Sequence, residues 1–77
     1  MQVNPIGSNR TIVTLNNGTQ IGFSYKTPVV AIISGIAYRT EARFSVTTSK
    51  HCGQLLHDMP HREFGGEKPQ EFFNNLS

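Results

Sequence analysis

The fold of this chain depends most on residues 38–56, which read YRTEARFSVTTSKHCGQLL. The first nine residues alternate polar and apolar side chains, a pattern typical of a β-strand. Helical spacing begins after a run of three hydroxyl residues, Thr47, Thr48 and Ser49. A strand that leads into a helix in this way presents free backbone N–H groups beside Lys50 and His51. The segment therefore predicts either an anion site or only a well-capped helix.

The helix is predicted to start at Thr47 or Thr48 and to end near Asp58, because Pro60 disfavours helical backbone at the residue before it. Apolar side chains recur at helical spacing over this segment. They are Cys52, Leu55, Leu56 and Met59. We expect this stripe to face the rest of the domain.

Residues 10–25 predict a β-hairpin around residues 16–18, which read Asn-Asn-Gly. A two-residue turn would pair Val13 with Gly22, whereas a three-residue loop with its glycine in the left-handed region would pair Val13 with Ile21. The second register gathers the apolar side chains on one face, and a slip of one residue would move them to the other, so we expect the longer loop. The shared face would carry Val13, Leu15, Ile21, Phe23 and Tyr25.

Two more strands are predicted, at residues 28–34 and 36–46. The continuous apolar run Val29–Ile33 requires cover on both faces, from the helix or from another copy of the protein. Residues 61–68 are interpreted as a loop because they contain two adjacent glycines.

The overall prediction is a single α+β domain over residues 1–77. It comprises a small antiparallel sheet of three to four strands, a helix over about 47–58 and a short helical turn at 69–76, which starts with a proline. The tail, residues 59–77, is expected to pack on the body or on a partner.

Composition narrows the class of protein. Charged residues make up 16% of the chain, below the roughly 25% usual in globular proteins, which suggests that a partner covers some surface. The net charge is +2, with +4 in residues 1–56 and −2 in residues 57–77. A body of this charge can attract a phosphate but falls short of a polybasic surface.

The single cysteine, Cys52, excludes an intrachain disulfide and is typical of a reducing compartment. No signal-peptide pattern is visible, and the run Val29–Ile33 is too short to cross a bilayer. We therefore expect a cytoplasmic protein with no membrane partner.

Metal and catalytic chemistry find little support in the sequence. On a helix, Cys52 and His57 point roughly 140° apart, and Pro60 disturbs the spacing of His57 and His61. Ser, His and Asp occur without a nucleophile elbow, and no phosphate-binding glycine loop is present. We expect no metal, no cofactor, no catalytic residue and no enzymatic activity.

Aromatic and basic residues are interleaved along the predicted strands, as at Tyr25-Lys26 and Tyr38-Arg39. Bases stack on exposed aromatic rings beside arginine, which would suit a nucleotide or single-stranded nucleic acid. The alternative for the predicted strand face that carries Arg39 is a solvated surface with paired charges. The candidate ligand-binding residues are Tyr38, Arg39, Thr47, Thr48, Ser49, Lys50 and His51.

Three segments together resemble a family of small uncharacterised proteins encoded mainly by tailed bacteriophages. They are SYKTPV at 24–29, YRT at 38–40 and FSVTTSKH at 44–51. The resemblance covers roughly residues 22–56 and departs from the family pattern at Cys52-Gly53. It implies an accessory protein in the cytoplasm of the bacterial host, with no established activity.

Two hypotheses follow. The first is a non-enzymatic binding module, a homo-oligomer, that holds a phosphate-bearing ligand such as a nucleotide or nucleic acid near residues 47–51 and counters host defence. The second is an inhibitor of a host protein, or a structural accessory protein, that acts through a strand edge and the tail with Phe72 and Phe73.

Overall fold

The chain folds into a six-stranded mixed sheet with one helix on each face. The computed structural model describes the backbone of residues 2–7, 9–42 and 46–76, and the side chains of residues 3, 9–42 and 50–76. In chain order the elements are β1 (Gln2–Gly7), β2 (Arg10–Thr14), β3 (Gln20–Ser24), β4 (Thr27–Ile33), β5 (Ile36–Thr40), α1 (Val46–Asp58), β6 (Glu63–Lys68) and α2 (Gln70–Asn74).

The strands lie side by side in the order of the sequence, β1 to β6. β1 to β5 form an antiparallel meander, whereas β6 pairs with β5 in parallel. A parallel partner needs a crossover connection, and α1 supplies it. The predicted antiparallel sheet of three to four strands is therefore wrong in strand number and in topology.

The two strands that the sequence did not predict, β1 and β6, are the edge strands of the sheet. Their sequences show the strand pattern least clearly. β1 contains Pro5, which a strand tolerates at an edge because no inner ladder needs its N–H group. β6 contains Gly65 and Gly66, the residues that favoured a loop, and the register with β5 shifts between Ala37 and Tyr38 beside them. Gly66 has a φ of +109°, so the glycine allows the strand to continue through this irregularity.

The predicted hairpin register is confirmed. Val13 pairs with Ile21, and the Leu15 N–H group donates to the Thr19 carbonyl at 2.8 Å. Gly18 has a φ of +89°, the left-handed conformation that the three-residue loop requires. The Asn17 side chain closes the loop by accepting a hydrogen bond from the Thr19 N–H group at 3.0 Å.

The predicted strand over 36–46 is too long, because β5 ends at Thr40. The Thr40 hydroxyl accepts the N–H group of Ala42 at 3.1 Å, a local hydrogen bond that competes with continued strand pairing. Residues 43–45 lie outside the described residues. Val46 already belongs to α1, so the helix begins one residue before the predicted Thr47.

α1 covers one face of the sheet with the predicted apolar stripe. Cys52, Leu55 and Met59 are buried, and Leu56 lies partly buried against them. Gly22 on β3 faces this helix, and the absence of a side chain there lets Leu55 and Met59 approach the strand. The core on this side contains Ile12, Val29, Val30, Ile32, Ala37, Cys52, Leu55 and Met59.

α2 covers β4 from the opposite face. Tyr38 shares a row of the sheet with Ala31 and Ile21, and the ring of Tyr38 meets that of Phe72 with centroids 5.8 Å apart. Phe73 is fully buried. The short helix is fixed by Gln70, whose amide donates to the Pro28 carbonyl at 2.7 Å and accepts from the Thr40 hydroxyl at 2.7 Å.

Both faces of β4 are thus covered within one chain. Val29, Val30 and Ala31 have no exposed surface and Ile32 has little. The apolar run was the observation that favoured a homo-oligomer, and its burial does not require a second copy.

Substitution of Gly22 by valine tests the closeness of the sheet to α1. A Cβ atom at this position would lie 3.0 Å from Met59 Sδ and 3.1 Å from Leu55 Cδ1, so the branched side chain must displace both. Overpacking of this kind lowers the free energy of unfolding by roughly 1–3 kcal/mol. Urea denaturation measures the change.

Gly53→Ala is the matched control. A Cβ atom at Gly53, on the exposed side of α1, would meet no atom within 4 Å. Replacing a glycine inside a helix by alanine should raise the free energy of unfolding by about 1 kcal/mol. Equal stability of Gly22→Val and the wild type would contradict the described packing.

Candidate functional site

The connection between β3 and β4 contains one of the two non-glycine residues with a positive φ in the described part of the chain. Ser24 pairs with Thr27, so Tyr25 and Lys26 alone form the turn. Tyr25 has a φ of +58°, a conformation that L-residues with a large side chain adopt at an energetic cost. Its N–H group donates to the Asn9 carbonyl at 2.7 Å, which ties the turn to the chain before β2.

The ring of Tyr25 is exposed and stands beside α1. Its side chain is 54% exposed, and its ring centroid lies 5.6 Å from that of His51, with the planes tilted by 48°. An exposed aromatic ring held in a strained backbone conformation is the kind of outlier that marks functional sites. More than half of the surface of Tyr25 is thus open to solvent at this end of the sheet.

His51 is held in place from below by Ser24. The Ser24 hydroxyl and His51 Nδ1 share a hydrogen bond of 2.7 Å, and Ser24 is only 1% exposed. The imidazole therefore satisfies a buried hydroxyl group that would otherwise lack a partner. This pair is unsuited to nucleophilic catalysis, because no substrate can reach a hydroxyl oxygen at that depth.

Each ring has an exposed lysine next to it in the sequence. Lys26 follows Tyr25 in the turn, Lys50 precedes His51 on α1, and both are exposed. The first turn of α1 contains no acidic residue, so its free N–H groups and the positive end of the helix dipole are not compensated there by a carboxylate. We call Tyr25, Lys26, Lys50 and His51 the turn site.

An open cleft of about 500 Å³ adjoins the turn site. Its walls are Asn9, Thr11, Tyr25, Lys26 and Thr27. The volume is within the range of small-ligand pockets, roughly 300–1,000 Å³. Polar groups and one aromatic ring line this space.

The predicted site residues are distributed over three places. Lys50 and His51 belong to the turn site. Thr47, Thr48 and Ser49 lie in the first turns of α1, where their backbone is helical, and their side chains are outside the described residues. Because α1 starts at Val46, Thr47 and Thr48 are helical residues and neither is the N-cap.

Tyr38 and Arg39 lie apart from the turn site and on opposite faces of β5. Tyr38 meets Phe72 on the α2 side, and the Lys68 ammonium lies 5.4 Å from its ring centroid. Arg39 faces α1 and β6, where its Nε is 3.9 Å from the Glu67 carboxylate. The structure does not bring these two residues together with Lys50 and His51.

Sequence reasoning missed Tyr25 and Lys26 as parts of the site, and Ser24 as the residue that holds His51 in place. Tyr-Lys is not a typical two-residue turn, which is usually rich in glycine or asparagine. The available signal was the spacing: two strand-like runs on either side of exactly two residues. Pro28 obscures this signal because a proline cannot donate to a strand ladder, yet Thr27 and Pro28 both belong to β4.

The single thiol, that of Cys52, is buried and is expected to be unreactive. Burial raises the pKa of Cys52, and the nearby positive charge of Arg39 opposes this shift without cancelling it. A protonated, buried thiol is a poor nucleophile and a poor metal ligand. Among the residues that the structure describes, no three His, Cys, Asp or Glu side chains are grouped so that they could hold a metal ion.

A family model described as a family of unknown function (DUF8033) matches residues 1–75. The chain belongs to this family. The match covers nearly the entire fold, including both edge strands and α2. No curated protein and no solved structure matches the chain. Within its described part, no helix is long and apolar enough to span a membrane.

Replacing Tyr25 by glycine tests whether the positive φ at this position lowers the stability of the protein. Glycine adopts a positive φ without the steric penalty, so the substitution should raise the free energy of unfolding by about 1 kcal/mol. Ser34→Gly is the control, since Ser34 has a φ of +54° in the turn between β4 and β5. A loss of stability in Tyr25→Gly alone would show that the tyrosine is retained for its packing on His51.

Cys52 should react slowly with iodoacetamide. Its raised pKa keeps the thiol protonated through neutral pH, and burial blocks the reagent. The folded protein is therefore expected to be alkylated far more slowly than the protein in urea at the same pH, as followed by mass spectrometry. Similar rates in the two conditions would contradict the described burial.

Proposed function

We propose that this family member is a non-enzymatic binding module for a phosphate-bearing ligand, a nucleotide or a nucleic acid, at the turn site. The observation that carries the proposal is the exposed Tyr25 ring, held at a positive φ against His51. A base would stack on this ring, and its phosphate would lie between Lys26 and Lys50. Stacking of a base on an aromatic side chain contributes about 1–3 kcal/mol.

The electrostatics of the chain favour an anion at this end of the sheet. The first 56 residues carry +4, and Lys50 directly follows the first turn of α1, whose free N–H groups and positive dipole end favour an anion. A bound phosphate would accept hydrogen bonds from free N–H groups of the helix and neutralise the lysines. The ligand would thus supply the negative charge that the first turn of α1 lacks.

The biological setting is proposed from the resemblance in residues 22–56. A family of tailed-bacteriophage proteins with this pattern implies an accessory protein in the host cytoplasm. A module that binds a nucleotide or a nucleic acid in that compartment could remove or mask a signal on which host defence depends.

The alternative function, an inhibitor of a host protein that uses a strand edge and the tail, has less support. The edge strand β1 contains Pro5 and a bulge, and the edge strand β6 contains a register shift beside Gly66; such features discourage the addition of another strand. Phe73, one of the two aromatic residues through which the tail would bind a partner, is buried in its own chain.

Removing both flanking lysines tests the proposed site. Lys26→Ala with Lys50→Ala should weaken binding of a nucleoside triphosphate or a short single-stranded oligonucleotide by about tenfold, since each exposed charge contributes up to roughly 1 kcal/mol. Titration calorimetry at two salt concentrations would measure the affinity. The difference between wild type and variant should shrink as salt screens the charges.

Arg62→Ala is the matched control, because Arg62 is an exposed cation beside Ser34, at the other end of the sheet. It should bind like the wild type. His51→Ala is a poor test, since it leaves the buried Ser24 hydroxyl without its partner and would disturb the fold. Equal affinity of the double variant and the wild type would reject the proposal.

A further inference from the structure

A second cleft lies between α1 and β6, apart from the turn site. Its volume is about 460 Å³, which suits a small organic ligand. Its walls are Arg39, Leu56, His61, Phe64 and Glu67. In contrast to the turn site, it combines two apolar side chains with a matched pair of opposite charges.

Phe64 forms an open apolar wall of this cleft. Its side chain is 51% exposed, one of the three large hydrophobic side chains that stand out to solvent in the described structure. Leu56 on α1 contributes a second apolar surface, partly buried against the core. A planar ring could stack on Phe64 and be removed from water on both sides.

The Nε–H group of Arg39 is a hydrogen-bond donor without an acceptor in the described part of the chain. Its Nε is buried and has no hydrogen-bond partner among the described residues. The nearest charge is the Glu67 carboxylate, but the 3.9 Å between Nε and the carboxylate oxygen is too long for a hydrogen bond. A buried donor and a partly exposed acceptor therefore lie side by side at the wall of the cleft without a hydrogen bond between them.

His61 adds an acceptor. Its Nδ1–H group donates to the Met59 carbonyl at 2.8 Å, which fixes the proton of the neutral ring on that nitrogen. Nε2 is then left as an acceptor. The polar groups of the cleft thus comprise one donor from the arginine and two acceptors, the carboxylate and the imidazole.

We propose that this cleft binds a planar cyclic amide, the C(=O)–N–H edge found in uracil, hypoxanthine and guanine. The ligand carbonyl accepts from Arg39 Nε–H, the adjacent ring N–H donates to the Glu67 carboxylate, and the ring stacks on Phe64. The oxygen and nitrogen of an amide edge are about 2.3 Å apart from bond lengths. Two hydrogen bonds that diverge slightly from this edge match protein groups 3.9 Å apart.

The opposite charges of Arg39 and Glu67 favour a ligand whose hydrogen-bonding edge is uncharged. Glu67 balances Arg39, so a phosphate or carboxylate at this position would meet a repelling carboxylate. Because Arg39 Nε is buried beside Glu67, binding requires the Glu67 side chain, which is 42% exposed, to turn slightly and open the donor to the ligand carbonyl. The site is separate from the turn site, and its occupancy does not depend on phosphate binding there.

Nucleosides provide a test because they carry no phosphate. Uridine and inosine should shift the backbone amide NMR signals of residues 63–68 of the labelled protein. Their N-methylated forms, 3-methyluridine and 1-methylinosine, lack the N–H donor and should bind at least about tenfold more weakly, because a hydrogen bond to the carboxylate is lost.

Two exposed positions provide variants that should fold normally. Phe64→Ala removes the stacking surface and Glu67→Gln removes the charge of the acceptor; each is expected to weaken uridine binding severalfold. Glu63→Gln, on the same strand but not in the wall of the cleft, should bind like the wild type. Phe64 and Glu67 are not part of the turn site, so a loss of uridine binding in either variant would locate the nucleoside in this cleft.

The proposal is overturned by any of three results. Uridine and inosine produce no shift in residues 63–68 up to their solubility limits. The N-methylated nucleosides bind as tightly as their parents. Phe64→Ala and Glu67→Gln retain the wild-type affinity.

Discussion

The rest of the structure depends on the burial of β4 on both faces. Val29, Val30 and Ala31 have no contact with solvent, so the chain must supply two covering layers although it has only 77 residues. α1 provides the first layer through a continuous apolar stripe. α2 provides the second with a single large residue, Phe73, supported by hydrogen bonds from Gln70 to the ends of β4 and β5. The parallel strand β6 follows from this demand, since it carries the chain from the end of α1 to the start of α2.

The pattern of side chains along the sequence predicted the hairpin and the first helix, because interactions between nearby residues determine both. The hairpin register followed from the side-chain alternation and from Gly18, and the helix followed from the spacing of Cys52, Leu55 and Met59. β6 could not be predicted in this way. Its pairing with β5 is set by the crossover through α1, and its own glycines read as a loop. β1 is a short edge strand that pairs with β2, and a proline and a glycine interrupt its pattern, so the sequence of Gln2–Gly7 by itself carries little signal.

The candidate sites show the same division. Lys50 and His51 were recognisable because the chemistry of a helix start is local. Their partners, Ser24 and Tyr25, lie far away in sequence and reach α1 only because β3 is positioned beneath the helix. Arg39 was selected for its aromatic neighbour, Tyr38, yet adjacent strand residues face opposite sides. The charged neighbour of Arg39 in the fold is Glu67. Glu67 lies on β6, which the sequence predicted as a loop, so the pair could not be anticipated.

The position of Phe73 in the sequence also bears on how the protein acquires its fold. The antiparallel meander pairs each strand with its immediate neighbour, so most of it can form as soon as those residues have been synthesised. The face of β4 beneath α2 stays open until Phe73 arrives, more than forty residues after Pro28, the residue whose carbonyl anchors α2. Such distant contacts form slowly because a long loop must close first. Completion of the hydrophobic core is therefore a late event, and a ribosome-bound chain that lacks α2 would present a bare apolar strand to chaperones.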